Sequence, residues 1–135
     1  MAYYHGLVSQ PDCLSCPLRY DKKVLPDGPI PAKIILIGEG PGGVECQQGK
    51  GFVGLSGKLL WFLMKHAGIT CREEQIWVTN ATLCRKRDVR LTTGAMLSEE
   101  QVQGYAVKAC RQRLIQEIKY VAQGNENAVI IPVGR

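Results

Sequence analysis

The residues best equipped for chemistry lie in one short stretch, Gly38-Glu39-Gly40-Pro41-Gly42, with Gly49-Lys50-Gly51-Phe52-Val53-Gly54 close behind. Two carboxylates, Glu39 and Glu45, and one aromatic, Phe52, are set among glycines. Without a Cβ, a glycine backbone N–H can approach a phosphate or carbonyl oxygen closely. A ring flanked by glycines is free to offer its face to a flat ligand. Downstream, Asn80 carries a donor and an acceptor on one side chain, which matches the polar edge of a pyrimidine. Together these residues suit a base pocket beside a phosphate. Taken singly, Phe52 also reads as loop core and Asn80 as a turn or cap residue.

Two other glycine-loop chemistries fit less well. Gly38-x-Gly40-x-x-Gly43 satisfies the dinucleotide fingerprint in form and follows an apolar run. That fingerprint needs an acidic residue about 20 positions on, at the end of a second strand. Residues 58–64 are instead Lys-Leu-Leu-Trp-Phe-Leu-Met, a helical pattern. A P-loop needs Gly-Lys followed by Ser or Thr to hold magnesium. Gly49-Lys50 and Gly57-Lys58 are followed by Gly51 and Leu59, so that chemistry is excluded.

The elements that must position these residues are legible in outline. Residues 33–37 read as a buried strand opening into a glycine-rich loop over 38–54. Leu59, Leu60, Leu63, Met64 and Ala67 recur at helical spacing, with Gly68 placed to end the helix. Residues 75–79 read as a second strand, and 81–97 as a polar, basic connection. Ser98-Glu99-Glu100-Gln101 is a capping-box pattern. Val102, Tyr105, Ala106, Ala109, Leu114, Ile118 and Val121 then trace one helix face up to Gly124-Asn125. Residues 128–133 form a third strand. This order predicts an α/β fold in one domain over 1–135, with a parallel sheet and right-handed crossovers. A doubly wound fold continues past such a strand, so the chain reads as the N-terminal portion of a longer protein. Residues 1–32 hold five of the seven prolines and lack periodicity, so something other than helix or sheet must order them.

Six cysteines add a second chemistry: Cys13, Cys16, Cys46, Cys71, Cys84 and Cys110. Cys13-x-x-Cys16 lies well before the first strand, the wrong place for a thioredoxin-type pair. Four thiolates from Cys13, Cys16, Cys84 and Cys110 suit an iron–sulfur cluster or a structural zinc. The second pair lacks the C-x-x-C spacing of a zinc ribbon. Cys84 and Cys110 also read as ordinary core cysteines, and Cys46 and Cys71 as ordinary thiols.

The chain has 135 residues, 45% of them hydrophobic, a globular composition. No apolar run approaches the roughly 20 residues of a membrane span, and the N-terminus lacks a signal-peptide pattern. A cytoplasmic, monomeric protein is expected. The formal charge is +5. Arg85, Lys86, Arg87 and Arg90, with Arg111, Arg113 and Lys119 further on, read either as contacts for a phosphate backbone or as a solvated face.

In Gly38-Glu39-Gly40-Pro41-Gly42, Glu45, Gln48-Gly49, Phe52-Val53-Gly54, Ser56-Gly57, Val78-Thr79-Asn80, Cys84-Arg85 and Ala109-Cys110, the chain resembles the iron–sulfur uracil-DNA glycosylases, family 4 of that superfamily. The resemblance covers roughly residues 11–135. It implies a three-layer α/β/α fold with a short parallel sheet lacking the family's last strand. It implies a [4Fe–4S] cluster on Cys13, Cys16, Cys84 and Cys110. The activity implied is hydrolysis of the N-glycosidic bond of uracil in DNA, with the base flipped out. By the same resemblance, uracil stacks on Phe52, Asn80 reads its polar edge, and amides near Glu39 and Gly40 bind a uracil oxygen. Glu45 would sit by the C5 edge and exclude the thymine methyl. Asn80, Gly40 and Glu39, the last as water-positioning group, would form the catalytic set.

The pattern departs from the family in places. Gly40 stands where another branch has an aspartate. Lys50-Gly51 replaces Arg-Pro, and the span from Cys84 to Cys110 is longer than the family's. No His-Pro-Ser-type loop is present; the only histidines are His5 and His66. A non-catalytic iron–sulfur module that binds nucleic acid is therefore the alternative, and a dinucleotide-binding oxidoreductase a weaker third.

Overall fold

The structure, a computed structural model, describes residues 6–69 and 72–134. Its elements are a 3-10 turn at Cys13–Ser15, then β1 (Ile34–Gly38), α1 (Gly43–Gln48), α2 (Leu55–His66) and a single turn α3 (Arg72–Gln75). They continue with β2 (Ile76–Asn80), β3 (Val89–Arg90), β4 (Met96–Leu97), α4 (Glu99–Ala122) and β5 (Val129–Pro132).

The three long strands form a parallel sheet in the order β2-β1-β5. Strand side chains alternate between faces, and the two faces find different partners. Ile35 and Trp77 pack against Ile118 and Val121 of α4. Leu36, Ile76 and Val78 pack against Leu60, Trp61 and Met64 of α2. Helices thus cover both sides of the sheet, the three-layer α/β/α arrangement expected. The path leaves β1 toward β2, then crosses back over β1 to reach β5. That reversal places loops from the central strand at a crevice beyond the strand ends, where open α/β sheets bind ligands.

The proline-rich N-terminal segment is ordered by the rest of the fold. Asp12 N–H donates to Ala109 O at 3.0 Å, Val24 N–H to Leu83 O at 2.8 Å, and Ala32 N–H to Val121 O at 3.0 Å. Asp27 and Val78 exchange a pair of backbone hydrogen bonds, which covers the outer edge of β2.

Several local expectations change. The glycine loop contains a helix, α1, closed by Gly49 in the left-handed region at φ 71°. The connection over 81–97 holds a two-residue hairpin, β3 with β4. In α2 the covered stripe is Gly57, Leu60, Trp61 and Met64, whereas Leu59 and Leu63 are exposed. In α4, Tyr105 is exposed, and the stripe of Val102, Ala106, Ala109, Cys110 and Val121 is completed by Arg113 and Glu117. Both charged side chains are 0% exposed, so Arg113 is not part of a phosphate-binding surface. Among the described residues no helix is long and apolar enough to cross a membrane.

Candidate functional site

The register of the sheet sets Gly38 directly beside Asn80. This pairing builds the cleft. An added Cβ at Gly38 would strike Asn80 Oδ1 and lie 2.7 Å from Phe52 Cζ. The absence of a side chain at this strand end is what lets the amide and the ring converge. Glu39, Gly40, Glu45, Phe52 and Asn80 all line one cleft of about 560 Å³, together with Pro41, Ser56 and Val133. Residues as far apart as Glu39 and Val133 in the chain therefore share one surface.

Phe52 has a positive φ of 56°, a conformation that costs a bulky side chain about 1–3 kcal/mol. Its surroundings hold it there. Trp61 Nε1 donates to Phe52 O at 2.8 Å, and the two rings meet edge to face at 6.4 Å. Just beyond, the Glu45 carboxylate accepts from Val53 N–H at 3.0 Å and Gly54 N–H at 2.5 Å through Oε2, and from Gly42 N–H at 3.1 Å through Oε1. Glu45 lines the cleft, yet both its oxygens are engaged: Oε2 ties α1 to the Phe52 loop and Oε1 caps the start of α1. Sequence reading missed this: a carboxylate satisfied by distant amides looks the same as one free to meet a ligand.

Glu39 and Gly40 sit at the rim and are exposed. Lys86 Nζ lies 3.5 Å from Glu39 Oε1. Ala81 N–H donates to Gly38 O at 2.7 Å and Thr82 N–H to Glu39 O at 3.2 Å, so the loop after β2 grips the loop after β1. A Cβ at Gly40 would come within 2.6 Å of Thr82 Oγ1. An aspartate here, as in the other branch of the superfamily, would require Thr82 to move.

The basic cluster divides. Arg87 makes a two-pronged pair with Asp21, at 2.8 and 2.9 Å. The pairing raises the pKa of Arg87. Arg85 lies against Gly43 at the start of α1. Arg85, Lys86 and Arg87 line a groove with Cys46, which sets Cys46 apart from the other described thiols. Cys71 and His5 lie outside the described residues. His66 bonds Phe62 O from the C-terminal end of α2 and does not line the cleft.

Cys13, Cys16, Cys84 and Cys110 come together in a small apolar pocket walled by Pro11, Leu18, Leu83 and Ala106. All four are buried. Burial pushes the Cys84 thiol up to about 12; Lys23 opposes the rise, while Cys110, Cys13 and Cys16 add to it. Burial raises Cys16 as well, countered by the N–H of Leu18 directed at its sulfur at 3.4 Å. Four buried thiols lining one pocket, with the Leu18 N–H and the Lys23 ammonium beside them to offset thiolate charge, form a donor set fit for a thiolate-ligated centre. Among the described residues no three Cys, His, Asp or Glu side chains are close enough to share one metal ion.

Residues 25–135 match the family model of the uracil DNA glycosylase superfamily. The chain is 33% identical over 111 residues to a type-4 uracil-DNA glycosylase of Thermotoga maritima, covering 81% of this chain and 52% of that protein. It is 33% identical over 116 residues to the type-4 enzyme of Pyrobaculum aerophilum, covering 84% and 52%. With that of Archaeoglobus fulgidus the identity is 31% over 125 residues, covering 91% and 55%. The chain thus spans about half the length of the curated relatives it matches. By its match to the family model over residues 25–135, the chain belongs to the uracil DNA glycosylase superfamily.

Proposed function

We propose that this protein removes uracil from DNA by hydrolysing the bond between the base and its deoxyribose. The observation that carries the reading is the meeting of the Phe52 ring and the Asn80 amide over Gly38. An extruded pyrimidine needs a flat apolar surface under its face and a paired donor and acceptor at its edge. A cleft of about 560 Å³ has room for one base and its sugar. In the reaction, water oxygen bonds to C1′ as the C1′–N1 bond breaks; the electron pair departs on uracil, which takes up a proton. Asn80 and the backbone N–H groups of Glu39 and Gly40 would stabilise charge developing on the uracil oxygens, the largest contribution open to such a site. Glu39 at the rim can orient the water and accept its proton. Arg85 and Lys86 border the same face and supply charge for the DNA backbone.

Cys13, Cys16, Cys84 and Cys110 would hold a four-iron cluster, which supplies structural cross-linking between the N-terminal segment, the loop after β2 and α4. Thiolates kept reduced favour the cytoplasm as the working compartment. The protein would act as a monomer.

An excision assay on uracil-containing single-stranded DNA, with the natural full-length protein, tests the reading. Loss of base release is expected for Asn80→Ala and Phe52→Ala; unchanged release in both would refute the pocket. The rival reading is a DNA-binding module without chemistry. Tight DNA binding by the full-length protein with no base release would select that rival.

A further inference from the structure

We infer that Arg113 is a positioning residue that fixes Asn80 from behind, an inference that rests on the pocket proposed above. The Arg113 side chain is 0% exposed, and its Nη2 donates to both Asn80 O at 2.7 Å and Ala81 O at 3.0 Å. Nη1 donates to Thr79 Oγ1 at 3.2 Å and to Glu117 Oε1 at 2.9 Å. Glu117 Oε2 in turn accepts from Trp77 Nε1 at 2.9 Å. Three consecutive residues at the end of β2 are therefore held by one guanidinium.

The opposite side of the same backbone is held by the glycine loop, through Ala81 N–H to Gly38 O and Thr82 N–H to Glu39 O. β2 ends at Asn80, and here the carbonyls of Asn80 and Ala81 accept from Arg113. Burying an ion pair is seldom the most stable way to fill a core; apolar side chains of similar volume do as well or better. Arg113 Nε is even left buried without a hydrogen-bond partner. What an apolar residue cannot do is satisfy two adjacent carbonyls at a bend, and a lysine offers a point charge in place of a planar fork. The arrangement sacrifices packing to fix the direction of the Asn80 backbone, and with it the side chain that faces the base. Arg113 also lies one turn beyond Cys110 on the same face of α4, so a single rigid helix references both the thiol pocket and the base pocket.

The test compares the full-length protein with Arg113→Lys and with the charge-neutral pair Arg113→Gln/Glu117→Gln, which leaves no unpaired buried charge and so keeps the fold within reach. Hydrogen–deuterium exchange should accelerate at Ala81 and Thr82 in both variants while Ile35 and Leu36 in β1 remain protected. Uracil excision should fall by about a hundredfold in kcat, the scale of a small misplacement of a reacting group. The loss should vanish in an Asn80→Ala background, since Arg113 acts through that residue. Unchanged exchange at Ala81 and Thr82, or a kinetic loss that adds to that of Asn80→Ala, overturns the inference. If the wild-type protein releases no uracil, the proposed activity fails by itself, and the exchange measurement still decides whether Arg113 orders Asn80.

Discussion

Glu45 and Gly54 are joined by a 2.5 Å hydrogen bond from backbone N–H to carboxylate, and that bond anchors the loop bearing Phe52 to the helix that follows the first strand. With Val53 and Gly42 also donating to Glu45, one side chain closes the loop on itself. Glu45→Ala should therefore destabilise the fold by about 1–3 kcal/mol, the cost of orphaning charge-assisted N–H partners. The loop over 49–54 should also become a protease target. Urea denaturation and limited proteolysis check both; an unchanged urea midpoint would show that Glu45 is dispensable to the loop.

Gly38→Ala should leave the fold in place and spoil the pocket. The added methyl meets the tips of two side chains, Asn80 Oδ1 and Phe52 Cζ, and tips can swing away at little cost to the core. Excision should fall by at least about a hundredfold while thermal unfolding shifts little. A variant with full activity would mean that the ring and amide do not meet over this residue.

Iron content separates the thiols. Cys84→Ser or Cys110→Ser should lose the visible absorption of an iron–sulfur centre and lower the melting temperature. Cys46→Ser, placed in the groove with Arg85, should keep both. Purified protein carrying one zinc and no iron would refute the cluster.

DNA affinity should depend on salt through the groove cations. Removing Arg85 or Lys86 should lower the slope of log K against log salt by about 1 each, one phosphate contact apiece. Arg87 should contribute less because Asp21 already pairs with it. Equal slopes for wild type and both single variants would place the DNA on another face.

Much of this molecule was legible in its residues. A four-residue apolar run before glycines is a strand entering a loop, and Ser98 with Gln101 starts a helix in any context, because both signals are satisfied within a few residues of chain. The C-x-x-C spacing and the separate Cys84 and Cys110 were equally open to inspection. Tertiary structure alone decided what depends on distant partners. Arg113 and Glu117 look like a solvated pair on a helix surface, yet they are buried because Trp77, Thr79, Asn80 and Ala81 satisfy them from about 30 to 40 residues away. Glu45 looks like a free carboxylate, but amides eight and nine positions on occupy it. Leu59 and Leu63 fit an apolar stripe, but the sheet lies under Leu60 and Met64. Hydrophobic periodicity reports only which side chains prefer to leave water. A buried charge is tolerated where hydrogen bonds offset the loss of water, and only the folded chain brings those partners to it.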